Sequence, residues 1–129
     1  MADALGEAMT DRKPAVLVVE DEPLILMTTV DAFEEAGFEA IDARDGEQAL
    51  LRLDERPDIC AIFTDVNMPG LYDGVQLARI AHARHPKMMV VVTSGKMIVS
   101  NEALPEGGIF LPKPYRSEQV TGLFASLLH

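Results

Sequence analysis

Four apolar runs, each ending on polar residues capable of chemistry, constrain this chain more than any other feature. Ala15-Val16-Leu17-Val18-Val19 ends on Glu20 and Asp21, and Ile59-Cys60-Ala61-Ile62-Phe63-Thr64 ends on Asp65. Met88-Met89-Val90-Val91-Val92 ends on Thr93, and Ile109-Phe110-Leu111-Pro112 ends on Lys113. Apolar runs of about four to eight residues, separated by helical stretches, read as strands of a parallel sheet buried on both faces. Ligands of such sheets sit outside the carboxyl ends of the strands. The polar residues would then meet on one edge as a carboxylate cluster, a hydroxyl and an ammonium. That set suits a divalent metal and a phosphoryl group.

At 129 residues the chain is one domain with room for a real core. No apolar stretch approaches the roughly 18–20 residues that span a bilayer, and the first residues lack the basic start of a signal peptide. The single Cys60 lies inside a strand run, so no disulfide framework exists and a reducing cytoplasm fits. The formal net charge of −10 argues against a nucleic-acid surface. Its distribution is uneven. Residues 20–58 hold 13 acidic and 3 basic residues, whereas residues 59–129 hold 5 and 6. Either two faces meet different partners, or the acidic half is simply well solvated.

Residues 1–13 show no apolar period and carry five charges, so they read as a flexible tail before a domain over residues 14–129. A first helix follows Asp21, with Pro23 suited to its first turn and Gly37 to its stop. Projected at about 100° per residue, Ile25, Leu26, Thr29, Phe33 and Ala36 share one side. Leu24, Met27 and Thr28 fall opposite, among Asp31, Glu34 and Glu35. Apolar residues on the solvent side of an acidic helix, beside the carboxylate pair, mark a docking face. Phe38 to Ala43 makes a short second strand. Helices are expected over Glu47 to about Glu55 and about Gly74 to His85, with a last one capped by Ser117 and ending at Leu128. Between Gly95 and Gly108 only about eight residues, near Ile98 to Pro105, could be helical before Pro105-Glu106-Gly107-Gly108 cuts them off. Five strands alternating with five helices, the fourth short or irregular, give a doubly wound α/β sandwich.

Glu20, Asp21 and Asp65 brought close together repel one another unless a cation sits among them. Mg²⁺ suits a site with few protein ligands, and the backbone carbonyl of Asn67 is a further candidate ligand. One Asp65 oxygen could then attack phosphorus. Lys113 can pair with the phosphoryl charge, and the Thr93 hydroxyl can donate to it. Singly, each of these has an ordinary explanation as a turn or surface residue. Their order along the chain makes that explanation fail for the set.

That ordered set resembles the receiver domain of bacterial two-component response regulators. It comprises Val16–Pro23, Phe63–Gly70, Asp73-Gly74, Val92–Gly95 and Leu111–Tyr115, and the likeness runs from residue 14 to about 128. The resemblance implies a five-stranded flavodoxin-like fold with strand order 2-1-3-4-5. It implies that Asp65 accepts a phosphoryl group from a histidine kinase or histidine phosphotransfer protein, with Mg²⁺ held by Glu20, Asp21, Asp65 and the Asn67 carbonyl. Thr93 would be the switch hydroxyl, Lys113 the phosphate-pairing lysine and Phe110 the aromatic that follows the switch. Leu24, Met27 and Thr28 would meet the donor, and the Lys113–Pro114 bond would be cis. Such a protein is a signalling phosphoacceptor that catalyses only its own phosphorylation and dephosphorylation. It would be cytoplasmic, a monomer or a weak phosphorylation-dependent dimer, acting on a downstream protein and touching neither nucleic acid nor membrane. A chain ending at His129 without an output domain points to a stand-alone regulator.

Four departures stand out. The first acid is Glu20 rather than the commoner Asp. The loop Met68–Gly74 is one residue longer than usual, and Gly95–Gly108 is shorter. Phe110 also replaces a Tyr. A haloacid-dehalogenase-like phosphatase would need a second acid where Asn67 stands. A flavodoxin-like electron carrier would need a phosphate loop where Glu20-Asp21-Glu22-Pro23 stands. A pseudo-receiver that lost the chemistry would not be expected to keep the acids, Thr93 and Lys113.

Overall fold

Strand β1 (Ala15–Val19) is buried along its whole length and pairs in parallel with both neighbours, β2 (Glu39–Ala43) and β3 (Ile59–Asp65). β3 pairs with β4 (Met89–Ser94), and β4 with β5 (Ile109–Pro112), all in parallel. The sheet order is 2-1-3-4-5, as expected for a doubly wound fold. The structure, a computed structural model, describes residues 13–128. The tail expected over 1–13 therefore lies outside the described residues except for Lys13.

Four α-helices flank the sheet among the described residues: α1 (Pro23–Glu35), α2 (Gly46–Glu55), α3 (Gly74–Arg84) and α4 (Ser117–Leu128). Alternate strand residues face opposite sides, as the pleat requires. Leu17, Ile62, Val90 and Val92 pack with Ala49, Leu53, Leu77 and Ala81 of α2 and α3. Val16, Val18, Phe63 and Val91 pack with Leu26, Phe33 and Phe124 of α1 and α4. Phe33 anchors this second layer, meeting Phe38 edge-on at 5.6 Å and Phe124 at 4.9 Å between ring centres. Cys60 is half-buried with its thiol against the Ala15 carbonyl at 3.4 Å, and burial raises its pKa. It packs as a small, partly buried hydrophobe against the layer of α1 and α4.

Local chemistry sets the helix ends. Pro23 opens α1. Asp45 caps α2 by accepting from the Gln48 amide at 2.8 Å. Asp73 and Gln76 form a reciprocal capping box on α3, at 2.8 and 2.9 Å. Two sequence expectations need correction. Ala36, projected onto the buried side of α1, is exposed, because it ends the helix and Gly37 (φ 96°) turns the chain away. Ser117 is the first residue of α4 and not its cap. The Arg116 carbonyl accepts the first helical bonds, while its amide is taken by the Gln119 side chain at 2.8 Å.

The fourth of the five expected helices is a single 3-10 turn, Asn101–Ala103. Val99 and Leu104 bury against the β4 side of the core from either end of it. The segment is held by those two anchors and by the Arg79 guanidinium, which donates to the Ala103 carbonyl at 2.9 Å. No described helix is long and apolar enough to cross a membrane.

Candidate functional site

The carboxyl ends of β1, β3 and β5 and the loop after β4 deliver polar residues to one cavity of about 250 Å³. It is lined by Glu20, Asp21, Glu22, Asp65, Asn67, Lys96 and Lys113. One oxygen each from Glu20, Asp21 and Asp65 lies within 4.8 Å of the others. Lys113 Nζ sits 3.5 Å from both Glu20 Oε1 and Asp65 Oδ1. Its approach follows a cis Lys113–Pro114 bond, as expected. Glu20 and Asp65 are only 5% and 8% exposed, so they carry charge where water can do little to stabilise it.

Electrostatics follow from that burial. Desolvation raises the Asp65 pKa, and Asp21 adds to the effect while Lys113 opposes it. Burial also raises Glu20, with Asp21 and Asp65 pushing the same way. For Lys113 burial favours the neutral amine, but Asp65 and Glu20 outweigh it and the pKa rises. Lys113, the cavity lysine paired with these acids, does not by itself balance three carboxylates. A hard cation with oxygen ligands fits the donor set that remains.

Thr93 lies beside Asp65 in the β3–β4 register and is 2% exposed. Its hydroxyl has no hydrogen-bond partner among the described residues. A buried, unpaired hydroxyl is costly, about 1–3 kcal/mol, unless something completes it. Ser94, next along, donates to Asn67 Oδ1 at 2.9 Å and ties β4 to the segment just past Asp65. Phe110 pairs with Val92 across β4 and β5 and packs, half-buried, on the layer that holds Val99 and Leu104.

Leu24 and Met27 are 77% and 60% exposed, and Thr28 is exposed with its hydroxyl bonded to the Leu24 carbonyl at 2.8 Å. Leu24, Ile25 and Thr28 form one wall of a groove of about 400 Å³, with Lys113, Pro114, Tyr115 and Ser117 opposite. Met27 is not part of that wall.

A family model described as the response regulator receiver domain matches residues 16–124. The chain is a response regulator receiver domain. It is 34% identical over 119 residues to the transcriptional regulatory protein PrrA of Mycobacterium tuberculosis, covering 89% of this chain and 50% of PrrA. It is 32% identical over 110 residues to the nitrogen assimilation regulatory protein NtrX of Azorhizobium caulinodans, covering 81% of this chain and 24% of NtrX. This receiver domain thus spans between a quarter and half of those two relatives. A response regulator receiver protein from Sinorhizobium medicae superposes with a TM-score of 0.83 at 27% identity, covering 90% of this chain and 94% of that one. The receiver domain of the hybrid histidine kinase CckA gives 0.77 at 29% identity, over 89% and 99%.

Two residues at the receiver site escape a reading of strand ends alone. Tyr115 lines the groove together with Thr29 of α1, and burial raises its pKa. Lys96 reaches the cavity from the loop after β4. The Lys113-Pro114-Tyr115 motif could have signalled the first, but nothing local signals the second.

Proposed function

We propose that this receiver domain takes a phosphoryl group onto Asp65 from a phosphohistidine of a histidine kinase or phosphotransfer protein, and thereby switches its binding to a downstream protein. The observation that carries the reading is the pairing of a buried Asp65 with Lys113 at 3.5 Å beside an unpartnered Thr93 hydroxyl. An Asp65 carboxylate oxygen attacks phosphorus as the bond to the donor breaks, forming an aspartyl-phosphate. Lys113 neutralises charge on the transferred oxygens. Thr93 donates its hydroxyl to one of them, which fills its missing hydrogen bond and draws β4 inward. Glu20, Asp21, Asp65 and the Asn67 carbonyl would hold Mg²⁺, which when bound offsets carboxylate repulsion and phosphoryl charge. The reaction is confined to the protein's own phosphorylation and dephosphorylation. Residues 14–129 act as the receiver unit behind a tail over 1–13, in a cytoplasmic setting, as a monomer or a weak phosphorylation-dependent dimer.

Incubation with Mg²⁺ and acetyl phosphate tests this directly. Intact-mass analysis should show one acid-stable, base-labile phosphoryl group per chain that maps to Asp65. Asp21→Ala, or excess EDTA, should reduce labelling to background. Full labelling in EDTA would remove the metal role, and catalytic release of phosphate from many turnovers would point to a phosphatase.

The groove between α1 and Tyr115 is the surface we assign to the donor, with Phe110, Thr93 and the 95–108 segment carrying the response. A donor helix laid against Leu24 would place its histidine at the cavity mouth. Leu24→Asp is expected to slow transfer from the cognate donor about tenfold or more, while acetyl phosphate, which needs no docking surface, still labels the protein. Equal transfer rates from the true donor would remove Leu24 from the interface. Thr93 and Phe110 link the site to a segment with few apolar anchors, so its alternative arrangements lie within reach of a population shift.

A further inference from the structure

The loop after β4 brings a second ammonium to the phosphoryl site. We propose that Lys96 is a second phosphoryl-pairing cation that closes over the transferred group from the β4 side. The assignment rests on Asp65 being the phosphoacceptor.

Three observations place it there. Lys96 lines the same cavity as Glu20, Asp21, Asp65 and Lys113. It also lines the adjoining hollow of about 430 Å³ with Met97, Ile98 and Pro112, so it stands on the ridge between the two. Its backbone position is set from inside the site. The buried Ser94 hydroxyl donates to Asn67 Oδ1 at 2.9 Å and accepts from the Lys96 and Met97 amides at 3.1 and 3.3 Å. The loop is thereby registered to the segment that carries Asp65. Finally, the Lys96 ammonium has no ion-pair partner among the described residues, whereas Lys113 is shared between Glu20 and Asp65.

The charge balance gives that free ammonium a task. Three carboxylates face one engaged lysine, and a phosphoryl group adds a dianion to the same cavity. In transfer from acetyl phosphate, a bond forms between Asp65 oxygen and phosphorus as the bond from phosphorus to the acetate oxygen breaks. Acetate leaves with that electron pair, and no proton is transferred. The negative charge held on the three phosphoryl oxygens throughout is what a mobile ammonium at the cavity rim can pair with. Lys113 already occupies the β5 side, so Lys96 would cover the side that Lys113 cannot reach. Its long flexible stem lets it swing in when the group arrives.

The test compares wild type with Lys96→Ala, Lys96→Gln and Lys96→Arg. Acetyl-phosphate labelling is measured below saturation with Mg²⁺ at low ionic strength, and equilibrium binding of beryllium trifluoride, a phosphoryl mimic, is followed by NMR. Ala and Gln should each label about tenfold more slowly and bind the mimic about tenfold more weakly. Arg should restore both, and added salt should narrow the gap as screening grows. The mimic separates pairing from simple attraction of the donor, since its affinity is an equilibrium quantity. Equal rates and affinities across the series, or a loss that Arg does not restore, would overturn the role of Lys96 while leaving Asp65 as acceptor. Absence of labelling in wild type would instead sink the acceptor reading itself.

Discussion

Asp65→Asn is expected to take up no phosphoryl group from acetyl phosphate, a loss of at least about 10³ of the kind seen when a nucleophile is removed, while the fold survives. The amide is nearly isosteric with the carboxylate and keeps a hydrogen-bonding group at the end of β3, but it cannot attack phosphorus. The effect on stability should run opposite to that on activity. Burial raises the Asp65 pKa above its unfolded value, with Asp21 contributing. In the metal-free protein Asp65 therefore keeps its proton to higher pH when folded than when unfolded. Ionisation then costs the folded state stability as pH rises through and above the carboxylate range. A neutral Asn escapes that cost, and Lys113 retains Glu20 at 3.5 Å. At pH 7 in EDTA the Asn variant should melt at or above the wild-type Tm. Undiminished labelling of the variant, mapped to another residue, would end the assignment; a large fall in Tm would show that the carboxylate holds the site together.

The strands and their terminal residues were legible because parallel strands buried on both faces are continuous apolar runs, and the chain supplies four of them. β2 was harder, since Glu39 and Asp42 interrupt it; as an edge strand it needs to satisfy only one neighbour, β1. Pro23 also signals the start of α1, whereas the Asp73–Gln76 box that opens α3 shows only in the structure. What could not be seen depended on distant partners. The 95–108 segment looked able to hold a short helix, but Val99 and Leu104, five residues apart, both bury against the same layer, and only a 3-10 turn fits between them. The cap of α4 moved from Ser117 to Arg116 because Gln119 supplies the side-chain acceptor. Projection of α1 put Leu24, Met27 and Thr28 together on the exposed side. Only the placement of Tyr115 against Thr29 decides that Leu24 and Thr28 border the groove and Met27 does not. Lys96 was invisible for the same reason, since its position hangs on a Ser94–Asn67 bond that spans 27 residues.

Gly74→Ala is expected to be the most damaging single-methyl change in the domain. In the motif Asp73-Gly74 the glycine looks like a turn residue, yet it does not have a positive φ. Its constraint is space. A Cβ at Gly74 would run into the Asp65 carbonyl oxygen and would stand 2.8 Å from both the Asp65 carbonyl carbon and Val66 Cα. These are backbone atoms of the strand end that carries the site, and they cannot rotate away. The close approach is sealed by the Gly74 amide, which donates to the Val66 carbonyl at 2.9 Å. Adding the methyl must push α3 off the end of β3 or bend β3 itself. Overpacking of this kind costs about 3 kcal/mol or more, which for a domain of this size lowers Tm by roughly 10 °C. Since β3 ends at Asp65, the same displacement should reduce acetyl-phosphate labelling well beyond the loss of folded protein. Gly122→Ala gives the contrast, because its Cβ would meet nothing within 4 Å on the exposed side of α4. There the methyl only improves helix propensity and should raise stability by about 0.5–1 kcal/mol. If thermal melts rank the two variants equally, or Gly74→Ala labels at the wild-type rate, then the β3–α3 contact is not what fixes Asp65 in place.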